Sequence, residues 1–97
     1  MSVLDDVLKE EYERLSRMKT AMEAEYKELP QGYLSKKNIR GYDCYYLQHR
    51  EGDRVVGVYV REDAVPDYAQ KIERRRNLKR SLSEIQNEMK KIEKVIK

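Results

Sequence analysis

The sequence contains no tryptophan and no phenylalanine, and has one cysteine, two prolines and four glycines in 97 residues. Its aromatic side chains are eight tyrosines, so every large ring carries a hydroxyl. No apolar run approaches the roughly 20 residues that a helix needs to cross a bilayer. We therefore expect no membrane span.

Charged residues make up 40% of the chain, and the mean hydropathy is −0.98. Such a composition cannot fill a thick core and favours extended helices that bury one stripe each, in one domain over residues 1–97. The single Cys44 cannot form an internal disulfide, and residues 1–6 lack the basic and apolar regions of a secretion signal. Both features predict a cytoplasmic protein.

Residues for catalysis or metal binding are scarce. His49 and Cys44 are five residues apart on a predicted strand, which aims them at opposite faces. That spacing argues against a metal site and against a Cys–His nucleophilic pair. The four glycines match no phosphate-binding spacing. We expect no enzyme, no metal and no cofactor.

The net charge of +3 is unevenly distributed. Residues 1–29 hold five basic and eight acidic side chains, whereas residues 30–80 hold twelve basic and seven acidic ones. One interpretation is a solvated surface of mixed sign. The other is an electrostatic footprint for an anionic partner.

Residues 2–29 are predicted to form the first helix. Its apolar residues recur in steps of three and four, with no glycine or proline between them. Ser2 can cap the start, and Asp5 and Asp6 complement the helix dipole. Leu29-Pro30 ends the helix, since a residue before proline is pushed out of the helical region.

Residues 33–60 are predicted to form a three-stranded antiparallel meander. Helical periodicity disappears there, and three strand-like runs appear at Tyr33–Ile39, Tyr42–His49 and Arg54–Val60. Arg40-Gly41 and Glu51-Gly52-Asp53 are suitable hairpin connections.

Residues 64–97 are predicted to form the second helix, with apolar steps of four and three from Leu78 that are typical of a coiled-coil seam. Together with the first helix, this predicts a seam formed by Leu8, Leu15, Met22, Leu78, Leu82, Ile85, Met89 and Ile92.

The predicted fold class is α+β: two long, antiparallel, coiled-coil-like helices flanking the meander, with Leu4 near Ile92. Because each stripe is narrow, a lone two-helix hairpin would be marginal. We expect a homodimer, and a monomeric hairpin is the alternative.

The predicted sheet interleaves tyrosines with basic residues. Basic side chains can contact phosphates while tyrosines pack or donate hydrogen bonds. The structural alternative is that tyrosine is simply a good strand residue and that charges prevent edge pairing. The tyrosines are Tyr33, Tyr42, Tyr45, Tyr46 and Tyr59, and the basic residues are Lys36, Lys37, Arg40, Arg50, Arg54 and Arg61.

Residues 29–61 carry a resemblance, in Leu29-Pro30-Gln31-Gly32-Tyr33-Leu34, Lys37–Gly41, Tyr45–Gln48 and Arg50-Glu51-Gly52. They resemble a group of short bacterial proteins of unknown function with a helix, three-stranded sheet, helix plan. The sheet also resembles the arm-type DNA-binding domain of tyrosine recombinases, through Tyr45-Tyr46-Leu47, Arg50 and Gly52. That resemblance implies DNA contacts by Lys36, Asn38, Arg40, Gln48, Arg50 and Arg54. The third strand departs from it, with Val55, Val56 and Val58 where basic residues are expected.

Two functions follow as hypotheses. The first is a non-enzymatic nucleic-acid-binding or accessory protein, in which the sheet contacts the phosphates of DNA or RNA and Arg76 and Arg80 add contacts from the second helix. The second is a coiled-coil protein-interaction adaptor, including a mobile-element protein that binds a larger nucleoprotein enzyme. There, the apolar edge at residues 56–60 accepts a partner strand.

Overall fold

The computed structural model describes residues 3–96. Residue 2, the predicted helix cap, and residue 97, the predicted helix end, lie outside the described residues. The chain forms, in order, α1 (Val3–Glu28), β1 (Tyr33–Ile39), β2 (Tyr42–Glu51), β3 (Arg54–Val60), a 3₁₀ turn (Glu62–Ala64) and α2 (Val65–Ile96). The predicted α+β class, with helix, three-stranded antiparallel sheet and helix, is confirmed.

Both hairpin connections have two residues. Ile39 pairs with Tyr42 across Arg40-Gly41, and Glu51 pairs with Arg54 across Gly52-Asp53. Arg40 and Gly41 both have positive φ, at 54° and 85°, as the primed turns that match strand twist require. The second strand is two residues longer than predicted because the second connection is that short.

The sheet is a meander in the order β1-β2-β3, with all neighbours antiparallel. β2 is central, and its residues from Tyr45 to Gln48 have partners on both sides. Pairing with a neighbouring strand on each side therefore fixes the strand register along the middle of β2.

The chain divides into two compact units, and α2 contributes to both. The helical unit contains α1 and the part of α2 from Asn77 onward. The sheet unit is Leu29–Arg76, which contains the three strands and the start of α2.

The core of the helical unit is a cluster of buried aliphatic side chains contributed by both helices. Leu15 comes from α1, and Ile85, Met89 and Ile92 come from α2. Packed against these four are Leu8, Tyr12, Met18, Met22 and Ile96. Leu78 is buried as well, and Leu82 is half-buried. Most of the predicted seam residues thus pack within one chain.

The helices of this unit are antiparallel, but their register differs from the predicted one. The Tyr12 hydroxyl donates a 2.6 Å hydrogen bond to Glu93 Oε1, and Lys19 lines the same surface groove as Gln86. Tyr12, rather than Leu4, therefore lies opposite the turn that contains Ile92, a shift of about two helical turns. Leu4 is 65% exposed, so the predicted pairing of Leu4 with Ile92 is wrong.

Neither helix within residues 3–96 has an apolar stretch of the length and low charge that crossing a membrane demands.

Candidate nucleic-acid interface

The two faces of the sheet differ in chemistry, and the register assigns each strand residue to one of them. One face, here called the covered face, consists of Leu34, Lys36, Asn38, Asp43, Tyr45, Leu47, His49, Glu51, Arg54, Val56, Val58 and Val60. The other, here called the open face, consists of Tyr33, Ser35, Lys37, Ile39, Tyr42, Cys44, Tyr46, Gln48, Arg50, Val55, Gly57 and Tyr59.

The covered face carries the buried residues of the sheet. Leu47 and Val60 are buried, and Leu34 and Tyr45 beside them are half-buried. Burial of these aliphatic side chains is what favours one register, because a slip of one residue would exchange the faces of the strand.

The open face presents tyrosine rings to solvent. Tyr33, Tyr42 and Tyr59 are 54%, 75% and 61% exposed, and each belongs to a different strand. Tyr46 is half-buried between them on the central strand. Four of the eight tyrosines of the chain thus lie on this one surface.

Contacts within the open face hold three of these rings. The Tyr33 hydroxyl donates a 2.7 Å hydrogen bond to Gln48 Oε1 on the neighbouring strand. Tyr46 and Tyr59 pack edge to face, with ring centroids 6.0 Å apart. The Lys37 ammonium lies 5.3 Å from the centroid of the Tyr46 ring, in a cation–π contact.

The two faces also differ in charge. The open face has Lys37 and Arg50 and no aspartate or glutamate. Within residues 3–96, no acidic side chain forms an ion pair with Arg50. On the covered face, by contrast, Lys36 Nζ lies 3.3 Å from Asp43, and His49 Nε2 lies 3.2 Å from Glu51.

Beyond the end of β3, two acidic residues adjoin the open face. Glu62 and Asp63 line a shallow depression together with Tyr59 and Arg61. Arg61 lies 3.5 Å from Asp63, which offsets that carboxylate. Arg50 lies at the opposite end of the sheet from this corner, whereas Lys37, the partner of Cys44, lies nearer to it.

A concavity of about 500 Å³ lies at the Arg50 end of the sheet, within the sheet unit. Tyr33, Gln48, Arg50 and Val55 of the open face line it, and Arg76 of α2 contributes a second guanidinium. Arg76 also lies 3.4 Å from Glu73. The predicted contact residues Gln48, Arg50 and Arg76 thus meet at one site.

The remaining predicted contacts are separated from this site. Lys36, Asn38 and Arg54 belong to the covered face. Arg80 belongs to the helical unit, where it donates to Asn77 Oδ1.

Arg40 lies at the tip of the first hairpin, with the rare positive φ of 54°. Asn38 supports this turn, since its Oδ1 accepts a 3.1 Å hydrogen bond from the Gly41 N–H. Its side-chain amide also lies 3.4 Å from Asp43 Oδ1. Asn38 therefore stabilises the hairpin, while Arg40 at its tip is exposed.

Lys37 and the exposed tyrosines are absent from the set of contacts implied by the resemblance, although the sequence contained a signal for them. With two-residue hairpins, the alternation of Leu34 and Leu47 as apolar residues assigns Tyr33, Lys37 and Tyr46 to the opposite face. The residue adjacent to Lys36, rather than Lys36 itself, is then the exposed basic one on the tyrosine surface.

In the part of the chain that the structure describes, no three histidine, cysteine, aspartate or glutamate side chains are grouped as metal ligands would be. The polar groups of the open face are hydroxyls, a thiol, an amide and two cations.

Residues 7–70 match the model of a family described as Domain of unknown function (DUF6788). No curated protein and no solved structure matches the chain. The matched range contains nearly all of α1, the complete sheet with both of its faces, and the start of α2. Since it covers well over half of the 97 residues, the chain belongs to the DUF6788 family.

Proposed function

We propose that this protein is a non-enzymatic nucleic-acid-binding protein and that the open face of its sheet is the binding surface. Lys37 and Arg50 contact backbone phosphates, and Arg40 and Arg76 extend this contact at the hairpin tip and in the concavity. The tyrosine rings pack against the bases. A cytoplasmic location suits this role.

The observation that carries the proposal is the charge of the open face. A surface with two cations, four tyrosines and no carboxylate attracts a polyanion and offers rings to its bases. On the covered face of the same sheet, Lys36 lies 3.3 Å from Asp43 and Glu51 adds a second carboxylate, so that face lacks this property. The resemblance of Tyr45-Tyr46-Leu47 and Arg50 to the arm-type domain of tyrosine recombinases supports the same use of the sheet.

The test is binding of labelled oligonucleotides, measured by fluorescence anisotropy over a range of salt concentrations. The double variant Lys37→Gln/Arg50→Gln should weaken binding about tenfold at low salt and reduce the slope of log K against log salt by about 2, because two phosphate contacts are lost.

The matched control is Lys36→Gln/Arg54→Gln, which removes the same two charges from the covered face. This variant should bind with nearly the affinity of the parent protein. If both double variants weaken binding equally, the open face is not the binding surface. If the parent protein binds neither DNA nor RNA at low salt, the proposed function is wrong.

A second candidate function is a protein-interaction adaptor, and the free edge of β3 favours it. Among residues 3–96, β3 pairs only with β2, and Val55 and Val58 are 62% and 48% exposed on it. An exposed apolar edge strand can accept a strand from a partner. A larger nucleoprotein enzyme of a mobile element is one such partner.

Val58→Lys tests the adaptor function, since a lysine on an edge strand blocks strand addition. If the protein is an adaptor, this variant should lose a partner that survives nuclease treatment while keeping the affinity for oligonucleotides. If partner recovery depends on intact nucleic acid, the adaptor function is excluded.

A homodimer with coiled-coil helices is also part of the proposal, but it needs a surface other than the predicted seam. Leu15, Ile85, Met89 and Ile92 are already buried within one chain. Apolar side chains that stay exposed in the helical unit are Val3, Leu4, Val7 and Val95. Sedimentation equilibrium of the parent protein and of Leu4→Glu/Val7→Glu tests this: the parent should be a dimer and the variant a monomer.

A further inference from the structure

We propose that the open face binds unpaired nucleotides, in preference to a duplex, by stacking bases on its tyrosine rings. This inference rests on the proposed function and specifies its ligand as a single-stranded polynucleotide. Bases and phosphates are shared by single-stranded RNA and DNA, and those two groups are what the open face is equipped to contact.

The first argument is the position of the exposed rings. Tyr33 on β1 lies opposite Gln48 of the central strand, and Tyr59 on β3 lies opposite Tyr46. Tyr42 is itself a residue of the central strand. Strand spacing and rise place neighbouring members of this series roughly 12–14 Å apart. An extended single strand can cross such a distance with its bases unstacked, whereas a duplex keeps the faces of its bases stacked inside and offers the rings only its backbone and the base edges in its grooves.

The second argument is that two of the three exposed rings, Tyr33 and Tyr59, are held before any ligand arrives. Gln48 fixes the Tyr33 hydroxyl at 2.7 Å, and the Tyr46 ring holds Tyr59 edge to face at 6.0 Å. Lys37 in turn contacts Tyr46. A ring with one edge held in place loses little conformational entropy when a base stacks on it.

The third argument is the distribution of charge among the rings. Lys37 lies in the middle of β1, and Arg50 lies two residues beyond Gln48, the partner of Tyr33. Cations interleaved with exposed rings suit a ligand that alternates phosphates with bases. A second protein chain would have to supply acidic groups here, and the open face of another copy has none.

The experiment uses the full chain and four labelled probes of about 12 nucleotides or base pairs, a length that covers one small domain. They are oligo(dT), oligo(U), a mixed-sequence duplex, and an abasic deoxyribose-phosphate strand that keeps the charges but has no bases. The two single strands should bind at least about tenfold more tightly than the duplex or the abasic strand. The ratio of oligo(U) to oligo(dT) measures any contribution of the 2′-hydroxyl.

The variants are Tyr42→Leu and Tyr59→Leu, with Tyr42→Phe and Tyr59→Phe as matched controls that keep the ring. Each leucine variant should lose about fivefold or more in affinity for the single strands and leave binding to the abasic strand unchanged. The phenylalanine variants should keep most of the parent affinity. Circular dichroism of every variant verifies the fold.

The outcomes separate this inference from the proposed function. If the abasic strand or the duplex binds as tightly as oligo(dT), stacking is wrong and binding through charge stands. If no probe binds at low salt, both fail. If Tyr42→Leu abolishes self-association of the protein and no probe binds, the open face contacts a second copy and the inference is overturned.

Discussion

The two faces of the sheet are built from the same three strands and the same two hairpins, yet they have opposite properties. The covered face buries Leu47 and Val60 and pairs Lys36 with Asp43. The open face leaves Tyr42 and Tyr59 exposed and has cations without carboxylates. Alternation along a strand is enough to separate a buried aliphatic surface from a cationic, tyrosine-rich one in a chain of 97 residues.

Residue type alone therefore does not distinguish the roles of the tyrosines. Tyr45 and Tyr46 are neighbours in sequence, and both are half-buried. Tyr45 belongs to the face of Leu47, whereas Tyr46 contacts Lys37 and Tyr59 on the open face. A burial value without a face assignment would have treated them as equivalent.

The largest effect is expected from a substitution that disturbs the strand register on which both faces depend. Gly32 has a φ of +119°, and a β-carbon there would lie 2.1 Å from the carbonyl oxygen of Gln48. Gly32→Ala should therefore destabilise the protein by about 3 kcal/mol or more, through backbone displacement and strain. Urea denaturation measures it, and an unchanged midpoint would show that β1 can move aside without cost.

Truncating one side chain on each face should have unequal effects on stability. Leu47→Ala on the covered face should cost about 2–3 kcal/mol, because it opens a cavity in a buried position. Tyr42→Ala on the open face should change the stability by no more than about 0.5 kcal/mol. Denaturant titrations of both variants give these values. Equal losses would mean that the open face also carries stability.

A smaller effect is expected at Arg40, in the hairpin that connects β1 and β2. Arg40 holds a positive φ that asparagine tolerates better, and Asn-Gly is the preferred pair for this type of turn. Arg40→Asn should stabilise the protein by about 0.5 kcal/mol and weaken the affinity for oligonucleotides, because a cation is lost. A variant that is more stable and binds unchanged would remove Arg40 from the interface.

The smallest effect concerns Tyr12, a tyrosine that does have a carboxylate partner, unlike those of the open face. The hydrogen bond to Glu93, followed by partial burial, raises the pKa of Tyr12 above its usual value. The stabilisation by this hydroxyl should thus be present below the unfolded-state pKa of tyrosine and disappear as the pH rises through the higher folded-state pKa.

The measurement compares urea midpoints of the parent protein and Tyr12→Phe. The variant should be slightly less stable at neutral pH, and the difference should decrease as the pH rises above the unfolded-state pKa of tyrosine. Glu93→Gln is the control, since it keeps a hydrogen-bond acceptor without the charge. A difference between parent and Tyr12→Phe that stays constant as the pH rises would show that the stabilisation does not depend on the hydroxyl proton.

Local signals in the sequence predicted the elements of the fold well. Leu29-Pro30 marks the end of α1 to within one residue, and Gly41 and Gly52 mark the two hairpins. Proline and glycine act through their own backbone, so their effect does not depend on distant residues. The same holds for the strands, whose observed starts at Tyr33, Tyr42 and Arg54 match the predicted ones.

The register of the two helices could not be predicted because an apolar repeat looks the same after a shift along the helix. Leu4, Leu8 and Tyr12 continue the same stripe, and the pattern alone does not reveal which of them lies opposite the turn that contains Ile92. The hydrogen bond between Tyr12 and Glu93 identifies the observed alignment. Only a specific polar pair, with no signature in the sequence, distinguishes neighbouring registers.

The candidate site was predicted in part. Arg50 and Gln48 lie on the open face, and Arg76 joins them in the concavity. Lys36 and Arg54 belong to the set of contacts that the resemblance implies. A resemblance of sequence does not show which face of the sheet is buried. That assignment needed the burial of Leu47.

The absence of tryptophan gives the tyrosines a practical consequence. All near-ultraviolet emission of the chain comes from eight phenols, and half of them lie on one solvent-facing surface. A ligand that binds to that surface should change the intrinsic tyrosine fluorescence, so binding can be followed on the unlabelled protein.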